Sequence, residues 1–283
     1  MRIFTTISDM RAASAALRNR GPLGLVPTMG ALHAGHLSLM AAARKDCAHV
    51  AASIFVNPTQ FGPNEDFSQY PRTFEADCAA LEQAGVDLLF APAAETMYPQ
   101  GATTFVEVGE ISGRLDGASR PGHFRGVATV VSKLFHIVSP DRAYFGQKDA
   151  AQLAILRAMV RDLDLPIELI ACPIVREPDG LALSSRNRYL TEEERSRATI
   201  LRRALDTATS LNALGECSAT ALRDALQKTL AADPNIAIEY TAVVDPDTLL
   251  PVECTAQGAL LAVAAKFGNT RLIDNQLIGE SHV

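Results

Sequence analysis

The sequence predicts an α/β fold: a parallel sheet covered by helices on both faces, followed by a smaller C-terminal α+β unit. Three observations carry this. Through the first two-thirds, short apolar runs alternate with segments whose apolar residues recur at helical spacing. The runs at 49–56 and 86–90 are apolar on both faces, as strands buried from both sides must be. Past residue 180 the order changes to helical segments and then three strand-like runs.

In order, residues 7–21 read as a helix, with Ser8 as the N-cap, Met10, Ala13 and Leu17 on one face, and Gly21 as the stop. "LGLVPT" (23–28) is a short strand, and a helix starts near His36 with Leu37, Met40 and Ala41 aligned. "HVAASIFVNP" (49–58) is a buried strand, 73–84 a helix closed by Gly85, and "VDLLFAP" (86–92) the next strand. Val127, Val130, Val131 and Leu134 form a helical stripe that ends before Pro140. "RAYFG" (142–146) is a strand, Leu153, Leu156 and Val160 mark a helix, and "IELIAC" (167–172) is a strand. "PIVREPDG" (173–180), rich in proline and charge, reads as the linker between a domain of residues 1–175 and one of 176–283. Thr191 and Glu194 form a capping box before one long helix, and a second helix spans about 218–230. "IEYTAVVD", "GALLAVAAKF" and "TRLIDNQ" complete the small unit.

The formal charge of -6 argues against a surface built for nucleic acid, while 26 Lys and Arg leave room for a local basic pocket. The five cysteines are scattered without metal spacing, so they read as reduced, buried thiols of a cytoplasmic protein. No apolar run approaches the ~20 residues of a membrane-spanning helix, so no membrane partner is expected.

In a parallel sheet, ligands bind beyond the carboxyl ends of the strands, so the loops that follow strands carry the chemistry. In "PTMGALHAGH" (27–36), Gly30 and Gly35 allow a tight turn, and His36 falls in the first turn of a helix. Free N–H groups and the positive end of the helix dipole attract anions there. The dipole discourages protonation of His36, yet its ring can still donate to a phosphate oxygen, and His33 can reach the same anion. "GQKD" (146–149) repeats the device, with Lys148 as a cation for phosphate and Asp149 for Mg²⁺ or a ribose hydroxyl. "LSSRN" (183–187) adds two hydroxyls and Arg186 at the domain junction. Asn57 and Gln60, just past a strand end, and Gln152, one turn into a helix, suit a polar or hydroxylated substrate. "RPGHFRGV" (120–127) adds His123 and Arg125 to the positive inventory. Taken without further comparison, these loops allow an adenylyltransferase of some other substrate or a non-catalytic ATP-sensing module.

"PTMGALHAGH", "NPTQF", "PGHFRGVATVV", "FGQKDAAQL" and "LALSSRNRYL", in this order and across the whole chain, resemble the pantothenate synthetase (pantoate–β-alanine ligase) family. "HAGH" is also similar, more distantly, to the HxGH turn of nucleotidyltransferases and class I aminoacyl-tRNA synthetases. The resemblance implies a Rossmann-like N-terminal domain, a smaller C-terminal lid and a homodimer. It implies that ATP, pantoate and β-alanine, with Mg²⁺, give pantothenate, AMP and pyrophosphate through a pantoyl adenylate.

Carried over by position, the ATP contacts are Met29, Gly30, Ala31, Leu32, His33, Ala34, Gly35 and His36. Gly146, Gln147, Lys148, Asp149, Val175, Leu183, Ser184, Ser185 and Arg186 complete that set. His33, His36, Lys148 and Arg186 are the expected catalytic groups, with His36 the family's proton donor. Gln60 and Gln152 are expected to hold pantoate, with Gln60 also serving β-alanine and Asn57 nearby. The metal ligands stay unassigned. Two positions depart from the pattern: Gln147 stands where Glu is frequent, and Ala151 where many members carry a glutamine.

Overall fold

The computed structural model describes residues 1–63 and 65–279. Residues 280–283, the end of the expected C-terminal domain, lie outside the described residues. The chain begins with β1 (Arg2–Phe4), α1 (Ile7–Arg18), β2 (Leu23–Thr28), α2 (Ala34–Asp46) and β3 (His49–Ile54). It continues with α3 (Phe74–Gln83), β4 (Leu88–Phe90) and the single turns α4 (Ala94–Met97) and α5 (Asp116–Ser119). Then come α6 (His123–Val138), β5 (Arg142–Gly146), α7 (Ala150–Asp162) and β6 (Glu168–Cys172). Helices α8 (Glu192–Arg197), α9 (Ile200–Ala213) and α10 (Ala219–Leu230) precede the strands β7 (Ile236–Val244), β8 (Ala259–Phe267) and β9 (Thr270–Ile278).

Six strands form one sheet in the order β1-β4-β3-β2-β5-β6, and every neighbouring pair is parallel. Its two faces follow the period-two alternation of the strands. Leu25, Ala51, Leu88, Phe90, Ala143 and Phe145 point to one side, where α1, α6 and α7 cover them. Val26, Ala52, Leu89 and Tyr144 point to the other, against α2 and α3. This is the α/β fold predicted, with helices on both faces.

The strands β7, β8 and β9 form a separate antiparallel sheet. Strand β8 explains why its sequence is apolar without a break. Leu261, Val263 and Ala265 pack on α9 and α10, while Leu260 and Ala262 reach the main core of the parallel sheet. A sheet buried on both faces shows no polar alternation.

Several local expectations change. Thr6, not Ser8, caps α1, since its hydroxyl accepts from the Asp9 amide at 3.2 Å. The Thr191–Glu194 capping box is present, but the long helix behind it breaks at Ala198–Thr199 into α8 and α9. Strand β1 was not anticipated, because three residues are too few for a periodic signal. Cys217 and Cys254 are exposed and Cys78 is intermediate, so only Cys47 and Cys172 are the buried thiols expected.

One buried carboxylate shapes the turn after β2. Asp77, 3% exposed, accepts from the amides of Ala31 (2.9 Å) and Leu32 (2.8 Å) and from the Thr73 hydroxyl. Ala31 thereby holds a left-handed backbone (φ 52°) that a non-glycine residue adopts only under constraint. Replacing Asp77→Ala orphans these buried donors and should cost about 2–3 kcal/mol, read as a lower urea midpoint. An unchanged midpoint would show that the turn stands without its carboxylate.

Candidate active site

Parallel pairing aligns Thr28 with Ile54 and Gly146 with Cys172, so the loops leaving β2, β3, β5 and β6 open on one side of the sheet. Between them lies a cavity whose walls include His33, His36, Asn57, Gln60, Lys148, Gln152 and Arg186. Met29, Gly35, Gly146, Asp149, Val175, Leu183, Ser184 and Ser185 also line it. Gly30, Ala31, Leu32, Ala34 and Gln147 do not. The Gly30 amide donates to the Thr28 hydroxyl, and those of Ala31 and Leu32 go to Asp77, so these amides are engaged in building the turn. Gln147 turns its side chain to Asn275 on β9 at 3.4 Å.

Helix α2 starts with a reciprocal histidine cap. The Gly35 amide donates to His33 Nδ1 (3.1 Å), and the His33 amide donates to His36 Nδ1 (3.3 Å). The His36 amide in turn donates to the His33 carbonyl at 2.8 Å. The expected role of first-turn amides as anion donors is therefore reduced, because the cap itself uses two of them. A ring nitrogen that accepts from an amide carries no proton, so each neutral imidazole holds its hydrogen on Nε2. The two rings lie 4.1 Å apart, centroid to centroid.

Burial, aided by Lys148 and Arg188, lowers the His33 pKa to about 4. Burial, with His33 and Lys148 as the next causes, lowers that of His36 to about 3. Both rings are neutral hydrogen-bond donors at neutral pH. Positive charge comes from Lys148, which lines the same cavity and helps to lower both histidine pKa values. Arg186 contributes less free charge than expected, because Nε and Nη2 donate to the Asp66 carboxylate at 3.1 and 3.0 Å. Ser184 and Tyr70 flank it: the Ser184 hydroxyl accepts from the Arg186 amide, and the Tyr70 hydroxyl meets Ser185 Oγ at 3.4 Å.

Asn57 is 1% exposed and saturated within the protein. Its amide donates to Gln60 Oε1 (3.0 Å) and the Gly126 carbonyl (3.1 Å), and its oxygen accepts from Thr59 and Tyr98. It therefore orients Gln60, whose Nε2 also meets Met29 Sδ at 3.1 Å. The Gln60 carbonyl is gripped from behind by His123 Nδ1 (2.8 Å), which Arg120 and Glu65 back up in turn. Gly126 is required there, since a Cβ would stand 2.3 Å from the Thr59 carbonyl oxygen. Arg125 does not join the site: its guanidinium stacks on Phe105, 3.9 Å from the ring centroid.

Sequence reasoning missed Tyr70 and Arg120 on this wall, and Asp66 and Glu65, which pair with Arg186 and Arg120. The signal for Glu65, Asp66 and Tyr70 was the crowding of acids and aromatics into a Pro/Gly-rich loop after a strand. It also missed that β9 supports the loop 146–149: Asn275 Nδ2 donates to the carbonyls of Gln147 (3.0 Å) and Lys148 (2.9 Å). Beside it Asp274 pairs with Arg176 at 2.7 and 2.9 Å, fixing the segment that carries Val175 and Leu183.

The lowered histidine pKa values make stability depend on pH. The fold keeps His33 and His36 neutral, whereas the unfolded chain takes up protons as pH falls below 6.5. The neutral-histidine contribution is fully present above pH 6.5 and drains away as pH drops toward about 4 and then about 3. Urea midpoints at about pH 7 and about pH 5 should show a smaller acid loss in His36→Gln than in the parent. Equal losses in both would contradict a neutral His36.

Known proteins place this arrangement. Residues 2–277 match the family model described as pantoate-beta-alanine ligase. A pantothenate synthetase of Acidobacterium capsulatum is 60% identical, the alignment covering 99% of this chain and 98% of the relative. The crystal structure of a pantothenate synthetase from Thermus thermophilus superposes with a TM-score of 0.93 at 50% identity, over 98% of this chain and 99% of that one. A pantoate-beta-alanine ligase from Francisella tularensis, solved with beta-gamma ATP and beta-alanine, gives a TM-score of 0.81 at 34% identity, over 98% and 97% of the two chains. The chain belongs to the pantoate–β-alanine ligase family.

Proposed function

We propose that this chain joins pantoate to β-alanine at the expense of ATP, giving pantothenate, AMP and pyrophosphate through a pantoyl adenylate. The observation that carries the reading is the pairing of two chemistries in one cavity. Two neutral imidazole donors and Lys148 line the same cavity as Gln60, Gln152 and the apolar Val127, Val130, Val131 and Leu134 of α6. Phosphate oxygens suit the first set. A hydroxy acid bearing methyl groups, as pantoate does, suits the second.

The pantoate carboxylate attacks the α-phosphorus of ATP in line, and pyrophosphate leaves. Neither group needs a strong base, so the protein's part is positioning and charge stabilisation. Lys148, His33 and His36 face the phosphates as donors, and Arg186 closes that wall while shared with Asp66. The amine of β-alanine then attacks the acyl carbon, and AMP departs. Water must be excluded while the adenylate exists. Leu183 lines the cleft and β9 supports its 146–149 loop from the C-terminal domain, which we bound at residues 176–283 against 1–175.

The residues fit a Mg²⁺ ion that arrives with ATP. Among the described residues Asp149 is the one acidic side chain on the cavity wall, and magnesium commonly takes one carboxylate plus substrate phosphates. No group of three or more metal-binding side chains occurs among the described residues, as suits an ion held largely by the nucleotide. When bound, the ion would neutralise phosphate charge, and Asp149 would hold it.

No helix among the described residues is long and apolar enough to cross a membrane. We read the enzyme as a cytoplasmic homodimer, in keeping with its family resemblance; sedimentation at a single-protomer mass would reject the dimer.

ATP with pantoate alone should release pyrophosphate, and β-alanine should then be needed for AMP and pantothenate. Pyrophosphate release with unrelated acids would point to another adenylyltransferase. His36→Ala and Lys148→Ala should each slow adenylate formation by ~10²–10³ while folding normally; near-native turnover in either would remove it from the phosphate site. Gln60→Ala should raise the pantoate KM. Asn57→Ala should do the same with little change in ATP affinity, because it releases Gln60. A normal pantoate KM in both would sink the pantoate assignment.

A further inference from the structure

The turn between α9 and α10 and the loop between β7 and β8 are stitched together at one point on the surface. The Thr255 amide donates to the Cys217 carbonyl (2.9 Å) and the Ala219 amide to the Glu253 carbonyl (3.0 Å). These bonds frame an isolated antiparallel bridge between Ser218 and Cys254. The Asn212 amide adds a third tie, donating to the Glu216 carbonyl (3.0 Å) and to Thr255 Oγ1 (2.7 Å). Thr255 is 1% exposed, so the backbone beneath the two cysteines is anchored in the fold. Above it both thiols are exposed, and their side chains meet as hydrogen-bond partners. Ser218 is the residue directly opposite Cys254, and the Thr255-to-Cys217 bond makes Cys217 and Cys254 diagonal neighbours across the same bridge.

We propose that Cys217 and Cys254 are a peroxide-responsive thiol pair that closes reversibly into a disulfide, clipping the β7–β8 loop to the entry of α10. The two sulfurs are not equivalent. The Cys217 S–H, the Ala256 amide and the Thr255 amide lower the pKa of Cys254, whereas Cys217 is raised by the same contact. Cys254 is therefore the attacking thiolate and Cys217 the resolving thiol. The Cys254 thiolate attacks one peroxide oxygen, breaking the O–O bond to leave a sulfenic acid and hydroxide. Cys217 sulfur then attacks Cys254 sulfur; the S–S bond forms, the S–O bond breaks and water leaves. In sum, two thiols and one hydrogen peroxide give one disulfide and two waters, with two electrons passing from sulfur to oxygen. Disulfides in reducing compartments are mostly of this transient, sensing kind.

The pair lies outside the proposed ATP cleft, so its test reads sulfur chemistry and not turnover, and its outcome is independent of the ligase reading. The full-length protein is treated with hydrogen peroxide, alkylated and mapped by mass spectrometry. The expected product is a Cys217–Cys254 cross-linked peptide, with the five thiols of the chain falling to three and returning to five on addition of dithiothreitol. In Cys217→Ser, Cys254 should instead be trapped by dimedone as the sulfenic acid. In Cys254→Ser no dimedone adduct should form at Cys217. Separate over-oxidation of Cys217 and Cys254 in the folded parent, without a cross-link, would overturn the proposal. So would faster modification of buried Cys47 or Cys172.

Discussion

The parallel register across β3, β2, β5 and β6 is the constraint on which the remaining structure hangs. Parallel strands all point the same way, so their four exit loops open side by side, and a single cavity collects what those loops carry. Residues more than a hundred positions apart, such as His36 and Lys148, come to line it without any local sequence signal connecting them. The register also decides which atoms are left for a ligand. Asp77 and the histidine cap take amides of the β2 exit turn, so there the cavity is offered side chains more than backbone donors.

The electrostatics around the two histidines follow from burial. Two histidines pushed well below the neutral range bring directed donors without charge, and Lys148 brings charge without crowding. Lys148 and the neutral rings reinforce one another, because a cation beside an imidazole discourages a second one. Arg186 is tempered by Asp66, a partner that holds its guanidinium in place and limits how much positive charge the cavity presents in the absence of an anion. The surroundings of Gln60 are built differently. Asn57, held by Gly126, Thr59 and Tyr98, gives one hydrogen bond to Gln60, and the Glu65–Arg120–His123 relay clamps the same glutamine by its backbone carbonyl.

The C-terminal sheet is more than a cover. Asn275 grips the backbone of the loop carrying Lys148, and Asp274 anchors Arg176 beside the segment running to Leu183. With Leu260 and Ala262 also packed into the main core, the small unit and the parallel sheet share apolar surface as well as hydrogen bonds. Around Cys217 and Cys254, backbone bonds tie two loops of this unit to each other.

Much of this was legible from residue order alone. The alternation of apolar runs with helical stripes gave the α/β class, since a strand buried on both faces cannot hide its composition. The Gly-rich turns, the paired histidines and the Lys–Asp dipeptide were legible because they sit at strand ends, where a parallel sheet aims its loops. Tertiary structure decided the rest. Which histidine nitrogen carries the hydrogen depends on amides that meet the ring only when the turn closes. Whether Asn57 touches substrate or holds Gln60 depends on Gly126, far along the chain, and Arg125 left the site because Phe105 offered its ring a stacking partner. Sequence sets each residue's chemistry and its local conformation; distant contacts determine how many of its hydrogen bonds remain for a ligand.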